Sequence, residues 1–449
     1  MLNRICGCLA TVAVLTLGPA AAEATEWFVA PGATGNGSSG APFGRIQDGI
    51  DAAQPGDVVT VRAGLYPESI RTVRGSDQTP ILLRAAGGRE SVVVTVRGRV
   101  LTVSHAYFTV EGLVFDGQYG TSDTIAVGSG GDYLTLRNLE VRRSSRDLID
   151  MAAPRGVLIE DSLIHHALNA VGGRTDAHGI AAGAVQDLVI RNTEIHTFSG
   201  DGIQVDPGRA APGWDRVTIE GTRIWLAPLP APENGFAAGT VPGENAVDTK
   251  ASASLRRSRL VIRDTAAWGF RGGLLRNMAA FNLKENVDAI VDGVTVHDSE
   301  IAFRLRGATT AAVGGAWVTV KNAVVYNAGT AFRYEDDIEN LRIWNSTIGR
   351  GVVQPFQAAS STPRGVEVRN LLMLDIRAQE ASHPSNLTVG ADAFVSAAAD
   401  NYALAPGALA IDAGITIVDV PVDRAGVSRP QGRTHDVGAY EWRPPPAAR

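Results

Sequence analysis

The chain has 449 residues, 50 of them glycine, with 20% charged and 6% aromatic residues, so it is poor in charge and rich in turn formers. A net charge of −6 argues against a nucleic-acid partner. The only two cysteines, Cys6 and Cys8, fall within the first 22 residues. That segment reads as a secretory signal: Arg4 supplies the positive start, LATVAVLTLG the apolar stretch, and Ala20-Ala21-Ala22 a small-residue cleavage site. The apolar run is too short for a permanent bilayer anchor, and no later stretch is suited to a membrane span. The expectation is a bacterial protein, secreted or periplasmic, whose mature chain (23–449) has no cysteine. Thiol catalysis, Cys-ligated zinc and disulfides are excluded together.

Residues 23–70 read as a cap and first coil. They give a strand, a Gly/Ser loop and a short amphipathic helix with Ile46, Ile50 and Ala53 on one face. Such a helix suits the open end of a solenoid, where an apolar cross-section must be covered. From Val110 onward one short phrase recurs ten times: an aliphatic residue, any residue, then Asn, Asp or Gly. The aliphatic members are Val110, Leu136, Ile159, Ile190, Ile219, Ile262, Ile290, Val320, Ile343 and Val368, and all are expected to point inward. Intervals of 23 to 43 residues mark a repeat architecture. LTLRNLEV, LVIRNTEI and VTIEGTRI alternate apolar and polar residues at period two, as strands do. The predicted fold is all-β: a single-stranded right-handed parallel β-helix, one monomeric domain with a short N-terminal capping helix, closed by residues 400–449.

Ahead of several phrases a further strand can be aligned: DLIDMA, HGIAAG, DGIQVD, NAVDTK, AFNLKE, AFRLRG and AFRYED. Alternation puts Ile149, Ile180, Ile203, Val247, Phe281, Phe303 and Phe332 inside. Asp150, Ala181, Gln204, Asp248, Asn282, Arg304 and Arg333 then form an outward column, with Asp206, Lys250, Lys284 and Arg306 in a second. His178, Asp201 and Asn245 begin a third. Acids (Asp201, Asp206, Glu244, Asp248) gather at one end and bases (Lys250, Lys284, Arg304, Arg306, Arg333) at the other. Stacked like charges are destabilising on a sheet, so their accumulation points to an anionic ligand. The widest interval, Ile219 to Ile262, holds the insertion PLPAPENGFAAGTVPG, expected to wall a groove, and then Gly243-Glu244-Asn245-Ala246-Val247-Asp248-Thr249-Lys250. Trp268-Gly269-Phe270-Arg271-Gly272-Gly273 follows one coil later.

The opening stretch and the closing AIDAGI with DRAGVSRPQGRTHDVGAYEW resemble the ends of secreted pectate-lyase-like β-helix proteins. Lys250 preceded by acids, with an aromatic-Arg-x-Gly setting one coil on, resembles the β-helix polysaccharide lyases that include chondroitinase B and several alginate lyases. The resemblance implies Lys250 as base, Arg271 assisting at the glycosidic oxygen, and calcium on the acids. Where that family has two glutamates separated by one residue, this chain has Glu244 with Asn245 and Asp248. A calcium cage would therefore draw on Asp201, Asp206, Glu244 and Asp248.

A uronate lyase removes the C5 proton beside the carboxylate and expels the O4 substituent, so the carboxylate charge must be neutralised first. Lys284, Arg304, Arg306, Arg333, Asn245, Gln204 and Trp268 are the expected contacts to an anionic polysaccharide. Neighbouring Lys284 and Arg271 are expected to lower the Lys250 pKa into a basic catalyst's range, and His178 is best placed to share the proton work. Three other readings stay open. A glycoside hydrolase would use a carboxylate pair among Asp201, Asp206 and Asp248. A C5-epimerase shares the proton abstraction, and a carbohydrate-binding β-helix would turn nothing over.

Overall fold

The computed structural model describes residues 24–75, 78–171, 175–206, 213–250, 256–307, 314–335, 338–358 and 365–443. The expected signal segment, with Cys6 and Cys8, lies outside them. Each central coil has three strands, as in Gln186–Arg191, Glu194–Phe198 and Ile203–Asp206. First-face strands of successive coils stack into one 13-stranded sheet. Second- and third-face strands stack into another of 22 strands, because the two faces run into one another. The pairings between coils are parallel, which makes the molecule a parallel β-helix. One apolar core fills it from Val29 to Ala381.

The first and second faces meet at a corner made by one residue with positive φ. Its occupants are Gly112, Asn138, Asp161, Asn192, Gly221, Asp264, Gly293, Asn322, Asn345 and Asn370, with φ between 42° and 78°. A left-handed residue reverses the chain without spending a longer turn, and Gly, Asn and Asp tolerate that conformation best. This is why the third member of the phrase is always one of those three. Nine of the ten aliphatic members are buried as expected, with at most 2% exposure.

Ile290 is the exception and is 45% exposed. Its neighbour Val291 is fully buried and stacks between Ile262 and Val320. The phrase in this coil is Val291-Asp292-Gly293 and not Ile290-Val291-Asp292. Two aliphatics in a row followed by two permissible corner residues satisfied both framings, and stacking in register selected one.

At the N-terminal end the helix Ile46–Ala52 covers the core, with Ile46, Ile50 and Ala53 fully buried. A Cβ at Gly49 would lie 2.7 Å from Val59, so the helix approaches the first coil closely there. The helix has no side-chain cap at Arg45; Glu68 instead accepts from the Ile46 N–H at 2.7 Å and the Gln47 N–H at 3.3 Å. At the other end the closing segment runs back along the corner ladder. Asn322, Asn345 and Asn370 donate to the carbonyls of Val422, Asp436 and Ile415 at 3.2, 3.1 and 2.8 Å. The DRAGVSRPQGRTHDVGAYEW motif therefore has a structural use: its Arg429–Glu441 pair (2.8 Å), with side chains fully buried, braces the loop that presents the Asp436 carbonyl. Among the described residues, no helix is long and apolar enough to cross a membrane.

The register at Ile290 is open to direct test. Ile290→Asp should leave the thermal midpoint within a few degrees of wild type, because the side chain faces water. Val291→Asp should abolish folding, because it buries an unpaired charge. Circular dichroism melts of the two variants check this, and the reverse order would restore the other framing.

Candidate active site on the third face

The third-face strands carry the expected outward column in register: Asp150, Ala181, Gln204, Asp248, Asn282, Arg304 and Arg333 lie on successive coils. Their neighbours Ile149, Ile180, Ile203, Val247, Phe281, Phe303 and Phe332 are buried, so alternation holds along the whole column. Beside it lies a cleft of about 170 Å³. Of the expected site residues, Glu244, Asn245, Asp248, Lys250, Lys284, Arg304 and Arg306 line it. The opposite wall is Leu275–Met278, from the loop after the GFRGG motif, and contributes Arg276.

Asp248, only 1% exposed, is the hub. Its Oδ1 accepts from Asn282 at 2.8 Å, and its Oδ2 meets Lys250 Nζ at 2.5 Å and Lys284 Nζ at 3.1 Å. Burial works against the Lys250 ammonium, but the adjacent Asp248 charge outweighs burial and holds its pKa above the ordinary lysine value. The sequence-based expectation was the opposite. It counted the neighbouring cations and did not foresee that a buried carboxylate would sit between the two lysines.

One coil earlier Asp201 is buried beneath His178 and Gln204. Burial, with Asp248 and Glu244 nearby, pushes its carboxyl up to about 6. The Asp201 N–H donates to His178 Nδ1 at 2.8 Å, so a neutral His178 must carry its proton on Nε2. The Gln204 amide end lies 3.1 Å from both His178 Nε2 and Asp201 Oδ2. The Gln204 amide nitrogen donates to Asp201 Oδ2. Asn245 donates to the other Asp201 oxygen at 2.8 Å. Histidine, glutamine, acid and asparagine thus form one hydrogen-bonded network. His178 also receives Asp147, which accepts from its backbone N–H at 2.9 Å.

These contacts do not fit a calcium cage. Both oxygens of Asp201 and of Asp248 are already engaged, and the Lys250 ammonium occupies the position a cation would take. No group of three or more His, Cys, Asp or Glu among the described residues is arranged to hold a metal. Asp206 pairs with Gly183 at the strand end and lies outside the cleft lining.

The structure also separates residues that the sequence placed together. Arg271 does not line the cleft. Its guanidinium bonds Asp298 at 2.6 Å and Asn327 at 3.3 Å, both on the second-face strands. Trp268 belongs to an external ladder on that face: His165, His196, Trp225, Trp268, His297 and Tyr326 stack with centroids 4.5–5.5 Å apart. Both faces of the Trp268 ring are therefore covered, which removes the surface a sugar would stack on. Arg333 donates to Asn277 at 2.8 Å and so braces the cleft wall. The insertion turns away from Lys250 and packs over earlier coils, with Leu229 and Phe236 against Leu168. Sequence reasoning missed Arg276, which lies in an irregular loop with no periodicity to place it.

No protein-family model matches the chain, and no curated protein is similar to it in sequence. Among solved structures, a rhamnogalacturonan lyase superposes with a TM-score of 0.55 at 14% identity, covering 83% of this chain and 91% of that one. A pectate lyase covers 93% of this chain and 96% of its own, at 16% identity and TM-score 0.49. An alginate lyase from Paenibacillus covers 72% and 94%, at 17% identity and TM-score 0.41. The chain has the fold of a pectate-lyase-like parallel β-helix protein. At these identities the likeness extends to the fold alone.

The Asp201 network makes a pH prediction. Asp201 titrates near 3.8 when unfolded and about 6 when folded. The folded state therefore binds the proton more tightly, and this contribution, on the order of 3 kcal/mol, is present below pH 4 and lost as pH rises through 6. Asp201→Asn mimics the protonated acid and should flatten that part of the profile. Urea midpoints measured from pH 4 to 7 check it.

Proposed function

We propose that this protein is a secreted polysaccharide lyase that cleaves an anionic, uronate-containing glycan in the third-face cleft. The observation that carries the reading is the bank of cations along one wall and floor: Lys250, Lys284, Arg276, Arg304 and Arg306 all line the same space. Such a bank matches a polyanion and can neutralise a uronate carboxylate, the step that makes the C5 proton removable. The lyase neighbours on the same fold agree with this chemistry without assigning it.

Lys250 acts as the base, and its partner supplies the missing step. When substrate excludes water from the cleft, the Lys250–Asp248 ion pair loses its hydration and a neutral amine–acid pair becomes accessible. The Lys250 proton passes to Asp248. The freed amine takes the C5 proton, the C4–C5 double bond forms and the C4–O4 bond breaks. The departing O4 recovers a proton from the Lys250 ammonium, and Asp248 returns its own. Assistance at the glycosidic oxygen falls to Arg276, which lines the cleft, in place of Arg271. His178 acts indirectly, through the Gln204–Asp201 network.

One arrangement favours a glycoside hydrolase as the second reading: burial raises the Asp201 carboxyl, while Asp248 one coil away is bonded by two lysines, and acid–base hydrolysis uses two carboxylates in unlike surroundings. The readings separate by mutation. In a lyase, Lys250→Ala should remove all ultraviolet-absorbing unsaturated uronate product from a panel of anionic polysaccharides while the fold persists. Arg276→Ala should cost on the order of 100-fold and Arg271→Ala less than 10-fold. Because the proton stays within the Lys250–Asp248 pair, activity should be level through neutral pH and should not need bulk deprotonation of Lys250. Asp248→Asn removes that acceptor, so activity at neutral pH should fall and should return only as alkaline pH deprotonates Lys250 directly. If Lys250→Ala cleaves normally and Asp201→Asn does not, the hydrolase reading replaces this one.

A further inference from the structure

The first face carries a surface that neither the core nor the cleft uses. Near its C-terminal end Trp317 and Asn340 stand in register in one outward column, which continues to Gly365. Two residues along the strands, Arg342 and Glu367 stand in register in the next outward column. A depression of about 520 Å³ spans both columns and is lined by Trp317, Glu339, Asn340, Arg342, Gly365 and Glu367. Small-molecule sites run to roughly 300–1,000 Å³.

Trp317 is 39% exposed, although tryptophan buries most of its surface on average. Its ring is held from behind. The Arg257 guanidinium, from two coils earlier, lies over one ring face with its carbon 4.0 Å from the centroid. Glu339 Oε2 accepts from Trp317 Nε1 at 3.2 Å and from Arg257 at 2.9 Å, so one carboxylate ties ring and guanidinium together. Arg257 is not part of the lining, and the depression therefore lies on the other side of the ring. There the column offers a short amide and then a glycine. On the second face the same position is filled by a further ring, as where Trp268 covers Trp225 at 4.9 Å. At the far rim the buried Trp344 positions both polar groups: its Nε1 donates to Glu367 at 3.3 Å, and Arg342 lies 5.4 Å from its ring centroid.

We propose that this depression binds one or two neutral pyranose units of a glycan, at a site separate from the third-face cleft and standing whether or not that cleft belongs to a lyase. A flat ring with one side open matches the C–H face of a pyranose, and holding the ring in place beforehand lowers the ordering cost of binding. Carboxylate, guanidinium and amide groups around it match sugar hydroxyls, which both donate and accept. The charges select against the ligand class of the cleft. Glu339 and Glu367 outnumber Arg342 in the lining, so a uronate carboxylate is repelled where a neutral sugar is not. The two sites thus read different parts of a polymer.

The test is a calorimetric titration of the full chain with three neutral probes: cellotriose, mannotriose and galactotriose. At least one should give a single saturable site of about millimolar affinity. Trp317→Ala should weaken it about 10-fold or more. Asn340→Phe, which sets a ring against Trp317 in register and fills the depression, should weaken it as much without removing the tryptophan. Lys250→Ala, in the cleft, should leave it unchanged, which separates this site from the lyase reading. Circular dichroism confirms that the variants fold. The proposal is overturned if none of the three probes saturates, if binding survives unchanged in Trp317→Ala or Asn340→Phe, or if it is lost in Lys250→Ala.

Discussion

The structure depends on one backbone constraint: each coil must turn between its first and second faces on a single left-handed residue. For a residue other than glycine that conformation costs roughly 1–2 kcal/mol, repeated coil after coil. Side-chain amides offset it. Asn370 donates to Asn345 at 3.2 Å, and Asn322 to Asp292 at 2.8 Å. The closing segment bonds the free ends of this ladder. With every coil cornered at the same point, strands stack in register and outward residues fall into columns. Asp248 can lie between two lysines only because coils align to within one residue.

That alignment creates an electrostatic problem and its solution together. Cations one strand apart repel, and the third face carries several. Asp248 is buried among them and bonds Lys250, Lys284 and Asn282 at once, so the cationic bank is anchored at its acidic end. One coil back the buried Asp201 is held by hydrogen bonds from Gln204 and Asn245, beside His178, and burial with the neighbouring acids raises its pKa. Two neighbouring aspartates thus have unlike partners: two lysines at Asp248, and uncharged amides at Asp201. The second face adds ring stacking to its ion pairs. Its ladder from His165 to Tyr326 covers its own ring faces and leaves only edges to solvent.

Much of this was legible in the chain. The repeated phrase carries the corner residue and the inward residue within three positions, so it determined the coil count between Val110 and Asn370 and the burial of nine of its ten aliphatic members. Period-two alternation determined the outward column, including Gln204, Asp248 and Arg304, and hence the gathering of Lys250, Lys284 and Arg306 on one side. These are local properties: a left-handed corner and a pleat are set by residue type and parity. Only the tertiary structure decided the rest. It chose Val291 over Ile290, because both satisfied the local pattern and only stacking between Ile262 and Val320 distinguishes them. It sent Arg271 to Asp298 and brought Arg276 to the cleft, because irregular loops carry no periodicity from which a direction can be read. It also raised the pKa of Lys250, because charge state depends on distance in space, and the 2.5 Å to Asp248 is a product of folding.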